Sequence, residues 1–292
     1  MTETFSMILG LPGSGKTTFL AALWHLIDAS EVETKLVLDR LVGDHVHLNR
    51  ITEAWRRCEE VPRTSIAAET DVSMHVHNPA DGTKAVLEFP DLSGESFENQ
   101  FIGRSCSNQY VESTGRADGM LLFVTANRKA DGMTIVDLAP LIAGEEAEND
   151  AATEAEAGGE TKGEQETEWN HRMVPEQVQL VDLLQFIQSP PFARRRRRIV
   201  VAISAWDVVP EPKPNPEKWL ARELPLLDQY LRHNPESFDL RVYGVSAQGG
   251  DVAGPNRMQL ASMTPSARIQ CVYEDQSGHD LTDPLVWLTA SD

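Results

Sequence analysis

The sequence predicts an α/β domain. We expect a mainly parallel sheet of about six strands, one of them antiparallel, with helices on both faces. Three observations carry this. Strand-like and helix-like stretches alternate along the chain. Two strand stretches, 119–125 (GMLLFVT) and 199–205 (IVVAISA), are nearly unbroken apolar runs, as in strands buried on both faces. A glycine-rich turn joins the first strand to the first helix. The 292 residues, 41% of them hydrophobic, suit one domain over 1–292.

The elements follow in order. Residues 5–9 (FSMIL) read as a buried strand and 18–27 (TFLAALWHLI) as a helix. The short apolar patch at 36–38 takes no assignment. In 48–58, Leu48, Ile51, Ala54, Trp55 and Cys58 recur at helical spacing. Residues 72–77 (VSMHVH) and 84–89 (KAVLEF) flank a turn-forming cluster and predict an antiparallel hairpin. His75 and His77 share one strand face without a third ligand nearby, so they read as a solvent-facing pair. Residues 98–112 are expected to be helical, and 135–142 to form a short helix. An amphipathic helix over 175–188 is stopped by Pro190-Pro191. Five arginines, Arg194–Arg198, precede the strand at 199–205 and read as a solvated strand entrance. A helix at 218–231, a last strand at 240–246 and a short helix at 284–289 complete the chain.

Composition excludes several classes. The net charge of −19 argues against general nucleic-acid binding, because a polyanion would be repelled. The charge is uneven. Between Gly144 and Glu168 stand ten carboxylates against one lysine, so residues 144–170 read as an acidic, low-complexity, disordered insertion. Cys58, Cys106 and Cys271 lie far apart, without the spacing of a zinc site. With no secretory pattern and no run of 18 apolar residues, a cytoplasmic protein without a membrane span is expected.

The chemistry starts at Leu9–Thr18 (LGLPGSGKTT), which contains Gly10-x-x-x-x-Gly15-Lys16-Thr17. Gly10, Gly13 and Gly15 let the backbone bend until the N–H groups of Gly13 to Lys16 converge on one anion. Lys16 supplies a point charge to β- and γ-phosphates, and the Thr17 hydroxyl is a hard ligand for Mg²⁺. The competing reading is a plain glycine turn before a helix. Three further stretches lie at the carboxyl ends of expected strands, where open α/β sheets bind ligands. In Asp91-Leu-Ser-Gly94, the acid suits Mg²⁺, and a glycine N–H can approach a γ-phosphate. In Ser204-Ala-Trp-Asp207, the carboxylate can accept from the N1–H and N2–H₂ edge of guanine, a pair of donors that adenine lacks. At Ser246-Ala247, a backbone N–H could donate to guanine O6.

The order of these stretches resembles the Ras-like P-loop GTPases of the TRAFAC class. LGLPGSGKTTFLAALW with PDLSGE resembles, more narrowly, the bacterial double-GTPase family. The resemblance implies a GTP/GDP switch with Mg²⁺ and an effector or GTPase-activating partner, in a bacterial conflict or immunity system. It also implies roles. Gly13, Ser14, Gly15, Lys16, Thr17 and Thr18 would cradle phosphates. Asp91 would be the switch II acid, Gly94 the γ-phosphate sensor and Asp207 the guanine reader. Thr64 is the chosen switch I threonine, with Ser65 and Thr70 as competitors; it would join the Mg²⁺ shell only with GTP.

The chain departs from the pattern twice. Ser204 and Ala205 stand where Asn/Thr and Lys are usual, so the purine face lacks a lysine stem, and Trp206 is a candidate substitute. Asp207 could instead simply cap the loop before Pro210. Glu95 stands where a water-orienting glutamine is usual. Its carboxylate faces an anionic γ-phosphate, so slow intrinsic hydrolysis is expected. Arg63 is a candidate cis arginine finger, the alternative being a solvated arginine. The loop alone would also suit an ATPase or kinase, or a scaffold that holds nucleotide without turnover.

Overall fold

Apolar strands need partners on both edges and cover on both faces, and the computed structural model shows how this chain provides them. It describes residues 3–62, 72–89, 95–127 and 174–290. The chain runs β1 (Thr4–Gly10), α1 (Lys16–Ala29), β2 (Val37–Gly43), α2 (His45–Arg56), β3 (Val72–His77) and β4 (Lys84–Phe89). It continues with α3 (Glu95–Gly103), α4 (Asn108–Arg116), β5 (Gly119–Thr125), α5 (Glu176–Phe186) and β6 (Arg197–Ser204). After a 3₁₀ turn (Trp206–Val208) come α6 (Pro216–Glu223), α7 (Pro225–Arg232), β7 (Phe238–Ser246) and α8 (Arg257–Ser262). A second 3₁₀ turn (Pro265–Arg268), β8 (Gln270–Tyr273), β9 (Gln276–Gly278) and α9 (Asp283–Thr289) follow.

The described strands form one sheet in the order β2-β3-β4-β1-β5-β6-β7-β8-β9. Its centre, β4-β1-β5-β6-β7, is parallel throughout. Both flanks are antiparallel. The expected sheet of about six strands with one antiparallel member is therefore corrected to nine with two antiparallel margins. β2, β8 and β9 are the additions, and none has the apolar run or alternation that marks a strand.

Alternation along β1 divides the core. Ile8 faces one layer with Phe19, Leu20 and Leu23 of α1, Trp55 of α2 and Leu285 of α9. Met7 and Leu9 face the other, with Leu180 and Leu184 of α5, Leu220 of α6 and Leu227 of α7. Helices thus cover both faces, as expected. The helix expected at 98–112 is two, α3 and α4, the second capped by Ser107 accepting from the Tyr110 N–H. The helix expected at 218–231 breaks at Leu224, because the residue before Pro225 is driven out of the helical region, here φ −132° and ψ 57°. The hairpin is as expected. His75 and His77 pair with Glu3 (3.2 Å) and Asp39 (2.6 Å) rather than with each other.

The arginine run is a solvated entrance only in part: Arg194 and Arg196 are exposed, while Arg197 is buried. Arg197 and Arg198 belong to β6, and every member has a partner. Arg194, Arg195 and Arg196 meet Glu236, Asp118 and Asp239. Arg198 donates to the Ala290 carbonyl. Arg197 is only 2% exposed and donates to the Ala117 and Thr114 carbonyls at the end of α4. Burial lowers its pKa to about 10, with the charge of Arg195 adding to the effect. The three cysteines are free thiols. The insertion at 144–170 and the helix expected at 135–142 lie outside the described residues.

Candidate nucleotide site

The carboxyl ends of β1, β5, β6 and β7 open on one cleft of about 980 Å³. Gly13, Ser14, Gly15, Lys16, Thr17 and Thr18 form one wall. Gly10, Gly13 and Gly15 have φ of 151°, 75° and 96°, a backbone that favours glycine. A Cβ on Gly10 would lie 2.6 Å from Ser14 Oγ, and one on Gly15 would lie 2.8 Å from the Ser204 Cβ. The turn therefore needs glycine at both positions for space as well as for conformation.

Gly15 caps α1 without a side chain, so the positive end of a 14-residue helix abuts the cleft. Lys16 Nζ donates to the Gly10 carbonyl at 2.6 Å and the Leu11 carbonyl at 3.0 Å. Phe97 of α3 sits 6.0 Å from that ammonium, which brings the start of α3 beside the loop. Ser14 Oγ is buried and has no hydrogen-bond partner among the described residues. An orphaned hydroxyl at a helix N-terminus, in a loop where a Cβ on Gly10 or Gly15 would clash, fits phosphate.

The other expected residues line the same cleft, with Ser204 directly against Gly15. They are Ser204, Ala205, Asp207 and Ala247. The Ser246 hydroxyl donates to Asp207 Oδ1 from behind, and accepts from the Gly249 N–H at 3.0 Å. Arg63, Thr64 with its competitors Ser65 and Thr70, Asp91 and Gly94 lie outside the described residues. So does the side chain of Glu95, although the backbone of Glu95 begins α3.

The sequence model of the Double-GTPase 1 family matches residues 7–288. The chain belongs to that family. The family's name is that of GTPases. No curated protein matches it. Among solved structures it is similar to the GTP-bound GTPase-like domain of S. cerevisiae Ski7, with TM-score 0.42, 12% identity, and 85% of this chain and 43% of that one covered. The bacterial selenocysteine-specific elongation factor EF-Sec gives TM-score 0.36 and 14% identity, covering 89% of this chain. The T. maritima FeoB G domain gives 0.31 and 12%, covering 89% of this chain and 97% of that one. This chain spans 28% of the elongation factor's length. At such scores none of them informs the function of the Double-GTPase 1 chain.

Trp206 does not substitute for the missing lysine. It is 1% exposed and packs in the core against Trp219, ring centres 6.3 Å apart. Ala205, at φ 53°, makes the reversal that turns the indole inward and leaves Asp207 at the cleft.

Sequence reasoning missed another part of the lining. Cys58 to Pro62, following α2, and Gln248, Gly250 to Ala253 and Arg257, following β7, also line the cleft. They are tied together: Arg257 Nε donates to the Cys58 carbonyl at 3.2 Å. Buried Arg268 donates to the Trp55 carbonyl at 3.1 Å and contacts the Cys58 thiol. Burial lowers the Arg268 pKa, against the pull of Cys58 and Glu31. Trp55 was legible only as a core position of a helix, since spacing says nothing about where an indole N–H points.

Proposed function

We propose that this Double-GTPase 1 chain is a Mg²⁺-dependent GTP switch. It binds GTP, hydrolyses it slowly, and reports its nucleotide state to an effector or a GTPase-activating protein. Its setting is the cytoplasm of a bacterium that uses it in conflict or defence. One observation carries the guanine assignment. The carboxylate of Asp207, held by Ser246, lines the same cleft as the glycine loop. An anion cradle and a carboxylate in one cleft suit a nucleotide with paired donors on its base.

Lys16 and the amides of Gly13 to Lys16 neutralise the phosphate tail and the charge that develops during in-line attack by water. Thr17 and Asp91, with Thr64 in the GTP state, would hold Mg²⁺. When bound, the ion would supply charge neutralisation for the phosphate tail. Gly94 senses the γ-phosphate and Glu95 takes the water-facing position. That position costs rate, because an anion faces an anion. Arg63 or a partner's cation would restore the rate.

The test is nucleotide identity. Purified full-length protein is extracted, its bound nucleotide identified, and GTP and ATP analogues are titrated against native protein and Asp207→Ala. GDP or GTP is expected, with at least a tenfold loss of guanine preference in the variant. Phosphate release by native protein and Lys16→Ala separates turnover from mere holding. Equal affinity for GTP and ATP in the native protein would overturn the guanine assignment and favour an ATPase or kinase.

A further inference from the structure

Helix α2 ends against the loop that follows β7, on the base side of the cleft. Trp55, in its last turn, is fully buried. Its indole N–H donates to the Ala247 carbonyl at 2.9 Å. The Trp55 carbonyl in turn accepts from the Gln248 amide at 3.3 Å and from Arg268 at 3.1 Å. The Arg268 guanidinium lies 4.8 Å from the indole centre, and the His25 ring of α1 lies 5.1 Å away. The indole is therefore gripped by neighbours from two other elements.

We propose that Trp55 is a positioning residue for guanine recognition: it holds Ala247 so that the backbone N–H of that residue meets guanine O6. This rests on the guanine reading of the cleft. Ala247 is anchored on both sides. Ahead of it, Ser246 is fixed through its hydroxyl to Asp207 and the Gly249 N–H. On its own carbonyl, it is fixed by Trp55. Release of one anchor lets the residue swing about the other, which misaligns a bond whose strength depends on direction. A helix standing outside the glycine loop and the strand-end motifs thereby sets base selectivity.

The test separates purines by O6. GDP and IDP carry it; ADP and 2-aminopurine riboside diphosphate do not. Trp55→Phe keeps an aromatic ring and deletes the donor. It is expected to weaken GDP and IDP about three- to tenfold, with ADP and the 2-aminopurine nucleotide unchanged. Replacement of Trp55 by 3-benzothienylalanine keeps the bicyclic shape with sulfur in place of N–H, so it is expected to give the same loss without disturbing the packing. An unchanged ratio of GDP to 2-aminopurine affinity in both variants would overturn the proposal. Equal weakening of all four nucleotides would also overturn it, reducing Trp55 to a packing role. A native protein that binds GDP and ADP alike would sink the guanine reading itself, and this inference with it.

Discussion

Trp206 shows how a single residue can be placed by its neighbour's lack of a side chain. Its indole lies over Gly244 of β7, where a Cβ would come within 2.4 Å of the ring. Gly244→Ala is therefore expected to push the indole out of its slot. The cost is about 2–3 kcal/mol by overpacking, measured by urea unfolding. Asp207 is the next residue, so guanine affinity is expected to fall in the same variant. The sequence shows the tryptophan but not its direction. A strand-end indole reads equally well as a platform for a base or a plug in the core, and the deciding glycine lies 38 positions away in the chain. The phosphate loop is the opposite case. Its residue types each answer a local need, so Gly10, Gly15, Lys16 and Thr17 could be read without the fold.

Among the elements, β2 and α2 stand between α1 and the hairpin of β3 and β4. The helix was legible from its spacing, while the strand was not. β2 is largely exposed and pairs only with β3, so burial imposes no pattern on it. β8 and β9, four and three residues long, are too short for alternation to show. The two halves of the broken helix α6–α7 were masked by a shared amphipathic period, although Pro225 marks the break. The end of α1 is tied to the 3₁₀ turn at Pro265–Arg268. Glu31 accepts from the Ser266 N–H at 3.0 Å and meets His25 at 3.2 Å. Partial burial raises the Glu31 pKa, but these partners outweigh it and hold the carboxyl below its usual 4.5. A carboxyl depressed by folding contributes stability above its unfolded pKa and loses it as pH falls through the folded value. Glu31→Gln is thus expected to lower the urea midpoint at pH 7. The gap to native protein is expected to close as pH falls below 4.5. A gap that stayed constant with pH would show that charge at Glu31 is irrelevant.

At the scale of the whole molecule, the cleft draws on the carboxyl ends of four central strands and on the end of α2. Its occupation therefore restrains elements from both core layers. At free GDP a hundredfold above Kd, binding to the folded chain alone adds about 2.7 kcal/mol. For a chain of this size that corresponds to a rise in Tm of roughly 4 °C. Scanning calorimetry with and without GDP is expected to show this rise in native protein and not in Lys16→Ala. Among the described residues, no helix is long and apolar enough to cross a membrane. The arginine run is engaged in part by its own ion pairs and carbonyls, with Arg194 and Arg196 still exposed.

The two margins of the sheet have a consequence for life at high concentration. β9 is a three-residue stub, and β2 carries a bulge between Leu38 and Arg40. Kinked or abbreviated outer rungs give a stranger's backbone too little straight ladder to zip onto. Crowded copies of this molecule are thereby kept from polymerising rung by rung, and their encounters are left to the chemistry of side chains.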